Sequence, residues 1–398
     1  MTDTILVLNA GSSSIKFQLF ALGTDDRLER RIKGEIEGIG VRPRLQAEGA
    51  RGESLVDAAW DPASLGDASA ALDRVLEWLG KQLSGQMPTA VGHRVVHGGA
   101  AYARPILLDD ASIAALEALV PLAPLHQPSN LAPIRALRRS RPDLPQVACF
   151  DTAFHRNQPA VAERFAIPEE LHREGVRRYG FHGISYEYIA GALREQVPAL
   201  AAGRAVVAHL GSGASMCALK AGLSLESSMG LTALDGVPMG TRPGQIDPGV
   251  LLYLIRQKGW DAARLERFLY HECGLKGLSG LSNDMRELLA ADSPAARLAV
   301  DYFVYRCVRE ASALTAIMGG LDGIVFTAGI GERSPVIRER ICNGLAWLGL
   351  DLDPARNRGH GPQISRPGSR IQAWVIPTDE ERMIARHTRD VLRNASKI

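Results

Sequence analysis

Cysteine is scarce: five residues, Cys149, Cys217, Cys273, Cys307 and Cys342, stand far apart in 398. An odd number at such spacings forms neither a disulfide framework nor a zinc ligand set, which points to a reducing cytoplasm. Charge of one sign is also missing. A formal net charge of +2 gives no electrostatic case for nucleic acid or an anionic membrane. No apolar run approaches the length needed to cross a bilayer, and the acidic start Met1-Thr2-Asp3-Thr4 does not read as a secretory leader.

A hydrophobic content of 46% and a charged content of 23% fit a globular protein, and the length predicts two domains. Ile5 to Phe17 (ILVLNAGSSSIKF) and Ala205 to Cys217 (AVVAHLGSGASMC) each read as strand, Gly/Ser turn and returning strand. Such a turn exposes backbone N–H groups and can hold an anion, although most Gly/Ser turns are only turns. A third run, Ile324 to Glu332 (IVFTAGIGE), predicts a buried strand entering a glycine loop. No Gly-Lys-Ser/Thr closes any of them, so none is a P-loop.

Between these runs, residues 22–66 suggest short antiparallel edge strands, and Ala68 to Leu83 and 294–318 show helical periodicity. Asp109-Asp110, Ser185 and Asp247 are placed to cap helices, with Thr378 and Glu381 as a capping box before a final helix. Asp151 follows the apolar run Gln146 to Phe150, at a strand's carboxyl end, where sheet enzymes bind ligands. His93 and His97, four apart on a strand and without a third ligand, do not read as a zinc site.

Six segments then occur in one order: Asn9 to Lys16 (NAGSSSIK), Gly92 to Gly99 (GHRVVHGG), Phe150 to His155 (FDTAFH), Tyr179 to Gly183 (YGFHG), Met239 to Arg242 (MGTR) and Thr327 to Glu332 (TAGIGE). In this the chain resembles the acetate kinases along nearly its whole length. The resemblance implies an α/β chain with a duplicated actin-like, ribonuclease H-like two-lobe fold and a nucleotide cleft between the lobes. The expected lobes are 1–150 plus 382–398, and 151–381, the latter binding nucleotide. It further implies phosphate transfer between ATP and acetate, giving acetyl phosphate and ADP, with Mg²⁺ (Mn²⁺ as an alternative), in a cytoplasmic homodimer.

By the same resemblance, Arg94 and Arg242 bind the transferring phosphoryl group and the carboxylate, a task that suits fixed bidentate guanidiniums. His182 donates a hydrogen bond in the transition state. Asp151 and Glu380 lie on the magnesium side, with Asn9 beside them as a catalytic and metal-side residue. Val96, Leu125, Phe181 and Ala233 wall the acyl group, and His126 matches a family histidine near the site. Lys16, His209, Gly211, Ser212, Gly213, Asp284, Met285, Arg286, Gly329, Ile330 and Gly331 are assigned to ATP. Read alone, the run at Asp284 is equally a helix start.

The chain departs from the family at Ser212, where Asn is usual, and at Ala233, where Pro is usual. The smaller Ala233 predicts acetate preference with real propionate activity. Two rival readings are a propionate or other short-chain acyl kinase and a non-catalytic actin-like nucleotide switch. The switch would have no use for Arg94, His182 and Arg242 together.

Overall fold

The computed structural model describes residues 3–11, 13–23, 27–84 and 86–395. Ser12 of the first Gly/Ser turn therefore lies outside the described residues. The chain divides into two compact units, Met1–Phe154 with Asp379–Ile398, and His155–Thr378. Drawn this way, Asp151 and Glu380 both belong to the first unit.

The first unit is built on strands β1 (Thr4–Ala10), β2 (Ser14–Leu22), β3 (Leu28–Glu37), β4 (Arg44–Gly49), β5 (Ser54–Ala59), β6 (Ala90–Val95), β7 (Ile106–Leu107) and β8 (Gln146–Phe150). They form one sheet in the order β5-β4-β3-β2-β1-β6-β8-β7. β1 and β2 pair as an antiparallel hairpin with Asn9 opposite Lys16, whereas β1, β6 and β8 run parallel. Parallel strands buried on both faces read as continuous apolar runs, as β1 and β8 do. The helix Ala68–Gln82 starts at Asp67, which accepts from the Ala70 N–H, and lays Leu72, Val75 and Leu79 into the core with Phe17 and Ile36. On β6, a Cβ at Gly92 would stand 2.3 Å from Thr388 Oγ1. Only glycine lets the helix Glu380–Ala395 approach the strand this closely.

The second unit holds β9 (Arg204–Leu210), β10 (Ala214–Lys220), β11 (Leu223–Ser227), β12 (Gly323–Thr327) and β13 (Gln372–Val375), in the order β11-β10-β9-β12-β13. Its β9–β10 hairpin is followed by the parallel strands β12 and β13. The order and directions repeat those of β3-β2-β1-β6-β8, so the two units share one plan. The long helix Pro294–Met318 runs from a Ser293 cap to Gly319 at φ 72°, the asymmetry expected of helix ends.

Three expectations need correction. The third glycine run leaves β12 directly into a short helix, Ala328–Arg333, and not into a loop. Ser185 is not a cap, because the helix Gly183–Gln196 begins one turn earlier, after His182. The Thr378–Glu381 capping box does not form either. Asp379 accepts from the Arg382 N–H instead, while Glu381 takes a hydrogen bond from Gln18.

Buried histidines make the fold acid-sensitive. Burial pushes His93, His97 and His155 down to about 4. Their folded pKa values lie below the unfolded value of about 6.5. The stability from keeping them neutral is full above that value and is lost as pH falls from there towards 4, because the unfolded chain binds the protons first. A lower urea midpoint at about pH 5 than at about pH 7.5 is expected; equal midpoints would contradict this.

Candidate active site

The carboxyl ends of the parallel strands in the first unit collect Asn9, Arg94 and Asp151. Arg94, on β6, donates from Nε to Asp151 Oδ1 at 3.1 Å and from Nη2 to Oδ2 at 2.5 Å. Its Nη1 donates to Asn9 Oδ1 at 3.3 Å, and Glu380 Oε2 lies 4.0 Å from Nε. Asp151 is 1% exposed, and its backbone N–H is tied to the Val95 carbonyl. One guanidinium thus serves a buried carboxylate, Asp151, and a half-buried one, Glu380. Burial opposes the Arg94 charge, but Asp151 and Glu380 outweigh it and hold its pKa above the usual value. Burial raises the Asp151 carboxyl while Arg94 pulls the other way. Burial pushes Glu380 up to about 7 against the pull of Arg94, with repulsion from Asp151 and Glu381 adding to it. Lys16, exposed on β2, also acts on Glu380.

Val96 is buried and Leu125 half-buried in this unit. The segment between them is braced by two buried amides that the sequence does not reveal. Asn130 accepts from the Val96 N–H at 2.9 Å and donates to the Ala10 carbonyl at 2.7 Å. Gln127 bonds both the N–H and the carbonyl of His97. His126 is the residue before the helix Gln127–Ser140 and makes no side-chain cap.

In the second unit, His182 sits at φ 56°, a left-handed conformation uncommon for a residue with a Cβ. Its ring stacks on His209 with centroids 4.1 Å apart and planes 15° apart. Its Nδ1 meets Ser215 Oγ at 2.8 Å, and His209 Nδ1 meets Ser185 Oγ at 2.9 Å. Arg242 donates from Nη1 to the Ala233 carbonyl at 2.8 Å. A Cβ at Gly213 would lie 2.9 Å from Arg242 Nη2 and 3.3 Å from His182 Nε2. The second Gly/Ser turn therefore lies against the nitrogen edges of both side chains, and a side chain at Gly213 would fill that space. Gly211 N–H closes the turn onto the Gly213 carbonyl, and the Ser212 carbonyl accepts from the Gly240 N–H. Phe181 is buried, and its carbonyl bonds His155 Nε2.

The remaining residues expected to bind ATP are arranged more plainly. Asp284 caps the helix Met285–Ala290 and ion-pairs with exposed Arg286 at 2.5 Å, and Met285 is buried. Gly329 and Ile330 lie in the helix Ala328–Arg333, with open space at Gly329. The buried Arg338 holds the carboxyl end of that helix through the Gly331 and Glu332 carbonyls and Asn357. An arginine interrupting the apolar stripe of Ile337 and Ile341 was the available signal for this brace.

The acetokinase family model matches residues 4–386. The acetate kinase of Nitrobacter hamburgensis is 60% identical over 99% of this chain and 97% of its own. That of Rhizobium meliloti is 56% identical over 97% and 98%. Among solved structures, a propionate kinase from Francisella tularensis matches with a TM-score of 0.90 at 35% identity, covering 98% of this chain and all of that one. An acetate kinase from Porphyromonas gingivalis gives 0.85 at 36% identity, again over 98% of this chain and all of that one. At that level of likeness the duplicated α/β plan corresponds to the fold of these kinases.

Proposed function

The chain belongs to the acetokinase family, and on that premise we propose that it transfers the γ-phosphate of ATP reversibly to acetate. An acetate oxygen attacks the γ-phosphorus in line, the new O–P bond forms, and the bond to the ADP oxygen breaks with its electron pair. The convergence of Arg242 and His182 on Gly213 carries this reading, since it gathers a fixed cation and an imidazole donor at a backbone turn. Charge spreading over the phosphoryl oxygens calls for such groups. Arg94 binds the anions of the reaction, oriented by Asp151, and Asn9 steadies its outer nitrogen.

The first unit's residues fit a divalent cation. Burial holds Glu380 near neutral pH, beside Asp151 and the Asn9 carbonyl oxygen, and a cation would restore its charge. Among the described residues no group of three or more His, Cys, Asp or Glu forms a complete protein cage. Mg²⁺ keeps waters and substrate phosphates as ligands, so one or two of Asp151, Glu380 and Asn9 would hold it. Bound there, it would neutralise charge on the β- and γ-phosphates.

Ala233 is half-buried and carries the carbonyl that holds Arg242. Its small side chain would leave room for the acyl group, and a pocket that merely gains a methylene discriminates by about 10–200-fold. Comparison of kcat/KM for acetate and propionate tests this. Acetate should lead with propionate within that range; a propionate rate thousands of times lower would exclude the roomier pocket.

The enzyme acts in the cytoplasm as a homodimer. No helix among the described residues is long and apolar enough to cross a membrane. In the helix Pro248–Lys258, Leu252, Tyr253 and Ile255 are each about half exposed, and a second copy would cover them. A monomer mass by sedimentation would rule the dimer out.

A further inference from the structure

His182 is held from behind by a short chain of hydroxyls. Tyr186 stands one helical turn after His182, and its backbone N–H bonds the His182 carbonyl at 3.0 Å. Its phenol and Ser215 Oγ lie 2.5 Å apart, and Ser215 Oγ lies 2.8 Å from His182 Nδ1. Both Tyr186 and Ser215 are wholly buried. We propose that Tyr186 and Ser215 are positioning residues that fix the tautomer of His182, so that its Nε2 carries the proton.

Accounting for hydrogens gives the direction. Among the described residues, Ser215 Oγ is the partner within hydrogen-bond distance of the Tyr186 hydroxyl. Burial raises the Tyr186 pKa well above 10, so the phenol keeps its proton and must place it. A buried donor left unmade is costly, so Tyr186 donates and Ser215 accepts. The Ser215 hydrogen then goes to His182 Nδ1, which must be the unprotonated nitrogen. Nε2, the nitrogen beside Gly213 and Arg242, is left as the N–H donor. The reverse arrangement would leave the phenol hydrogen unpaired and present a lone pair towards the same space.

The His209 side differs. Ser185 donates to Thr378 Oγ1 at 2.9 Å, so it accepts from His209 Nδ1, and His209 takes the opposite tautomer. Two stacked imidazoles of opposite tautomer can remain neutral together, without the repulsion of two stacked cations.

The kinetic consequence rests on the reading that His182 donates to the transferring phosphoryl group. Ser215→Ala frees the ring to mix tautomers and is expected to lower kcat about tenfold or more, with KM for ATP and acetate within about twofold. Tyr186→Phe keeps the ring packing against His155 and His209 and removes only the far donor, so its loss should be smaller. The double variant should be no slower than Ser215→Ala, because both act through one bond. Histidine ring ¹⁵N–¹H correlation spectra of the full chain, with His182 assigned by His182→Gln, read the tautomer directly. Nε2–H in the wild type and a tautomer mixture in Ser215→Ala are expected. Nδ1–H in the wild type overturns the hydroxyl chain whatever the kinetics. Losses that appear in KM, or that add in the double variant, overturn the positioning role. If His182→Ala itself leaves kcat unchanged, the phosphoryl reading fails and takes the kinetic consequence with it.

Discussion

Replacing Arg242 by alanine is expected to lower kcat about 10³-fold or more, the scale of an arginine that meets a transferring phosphoryl group. The geometry gives the reason. Arg242 is anchored at one nitrogen by the Ala233 carbonyl, while its other outer nitrogen lies against Gly213 beside His182 Nε2. A cation held in this way costs no reorganisation when charge develops. Lysine could restore the charge but not the fork, so Arg242→Lys should recover only part of the rate. Steady-state kinetics under saturating ATP and acetate measure this. A loss below about tenfold is only about 1.4 kcal/mol and would remove Arg242 from the transition state.

Arg94→Ala should be the most destabilising single change at the site. Asp151 is almost fully buried, and each of its two oxygens accepts a hydrogen bond from this guanidinium. Removing the partner of a buried charge costs about 3–5 kcal/mol, because the remaining charge is uncompensated. Glu380, already pushed up to about 7, would lose its nearest cation as well. Arg94→Ala/Asp151→Ala should therefore regain much of the stability while remaining inactive, since neither anion binding nor the orienting carboxylate is restored. Urea denaturation of both variants beside kinetics separates the effects. A single variant as stable as the wild type, or a double variant no more stable than the single one, would contradict the pairing.

Much of the framework was legible because its signals are local. The two Gly/Ser hairpins, the caps at Asp109 and Asp247, and the helix Pro294–Met318 follow from turn chemistry and periodicity. Errors arose where a local rule met a tertiary competitor. Ser185 has cap chemistry, but its hydroxyl serves His209 and Thr378. Thr378 receives that bond and leaves capping to Asp379. The glycines after β12 suggested a loop, yet Arg338 from the next helix holds them as a helical turn. Asn130 could not be read at all, because its value lies in a bond to Ala10, 120 residues away. The motifs supplied the candidates for chemistry, whereas the groups that hold them, Asn130, Ser215, Tyr186 and Arg338, depend on contacts distant in sequence.

The most direct test of acetate phosphorylation is a hydroxylamine trap with ATP, Mg²⁺ and acetate, in which acetyl phosphate is captured as the hydroxamate. Hydroxamate should accumulate in step with ADP and require both acetate and ATP. ADP formation without hydroxamate, or nucleotide binding with no turnover, would contradict the account and favour an actin-like nucleotide switch.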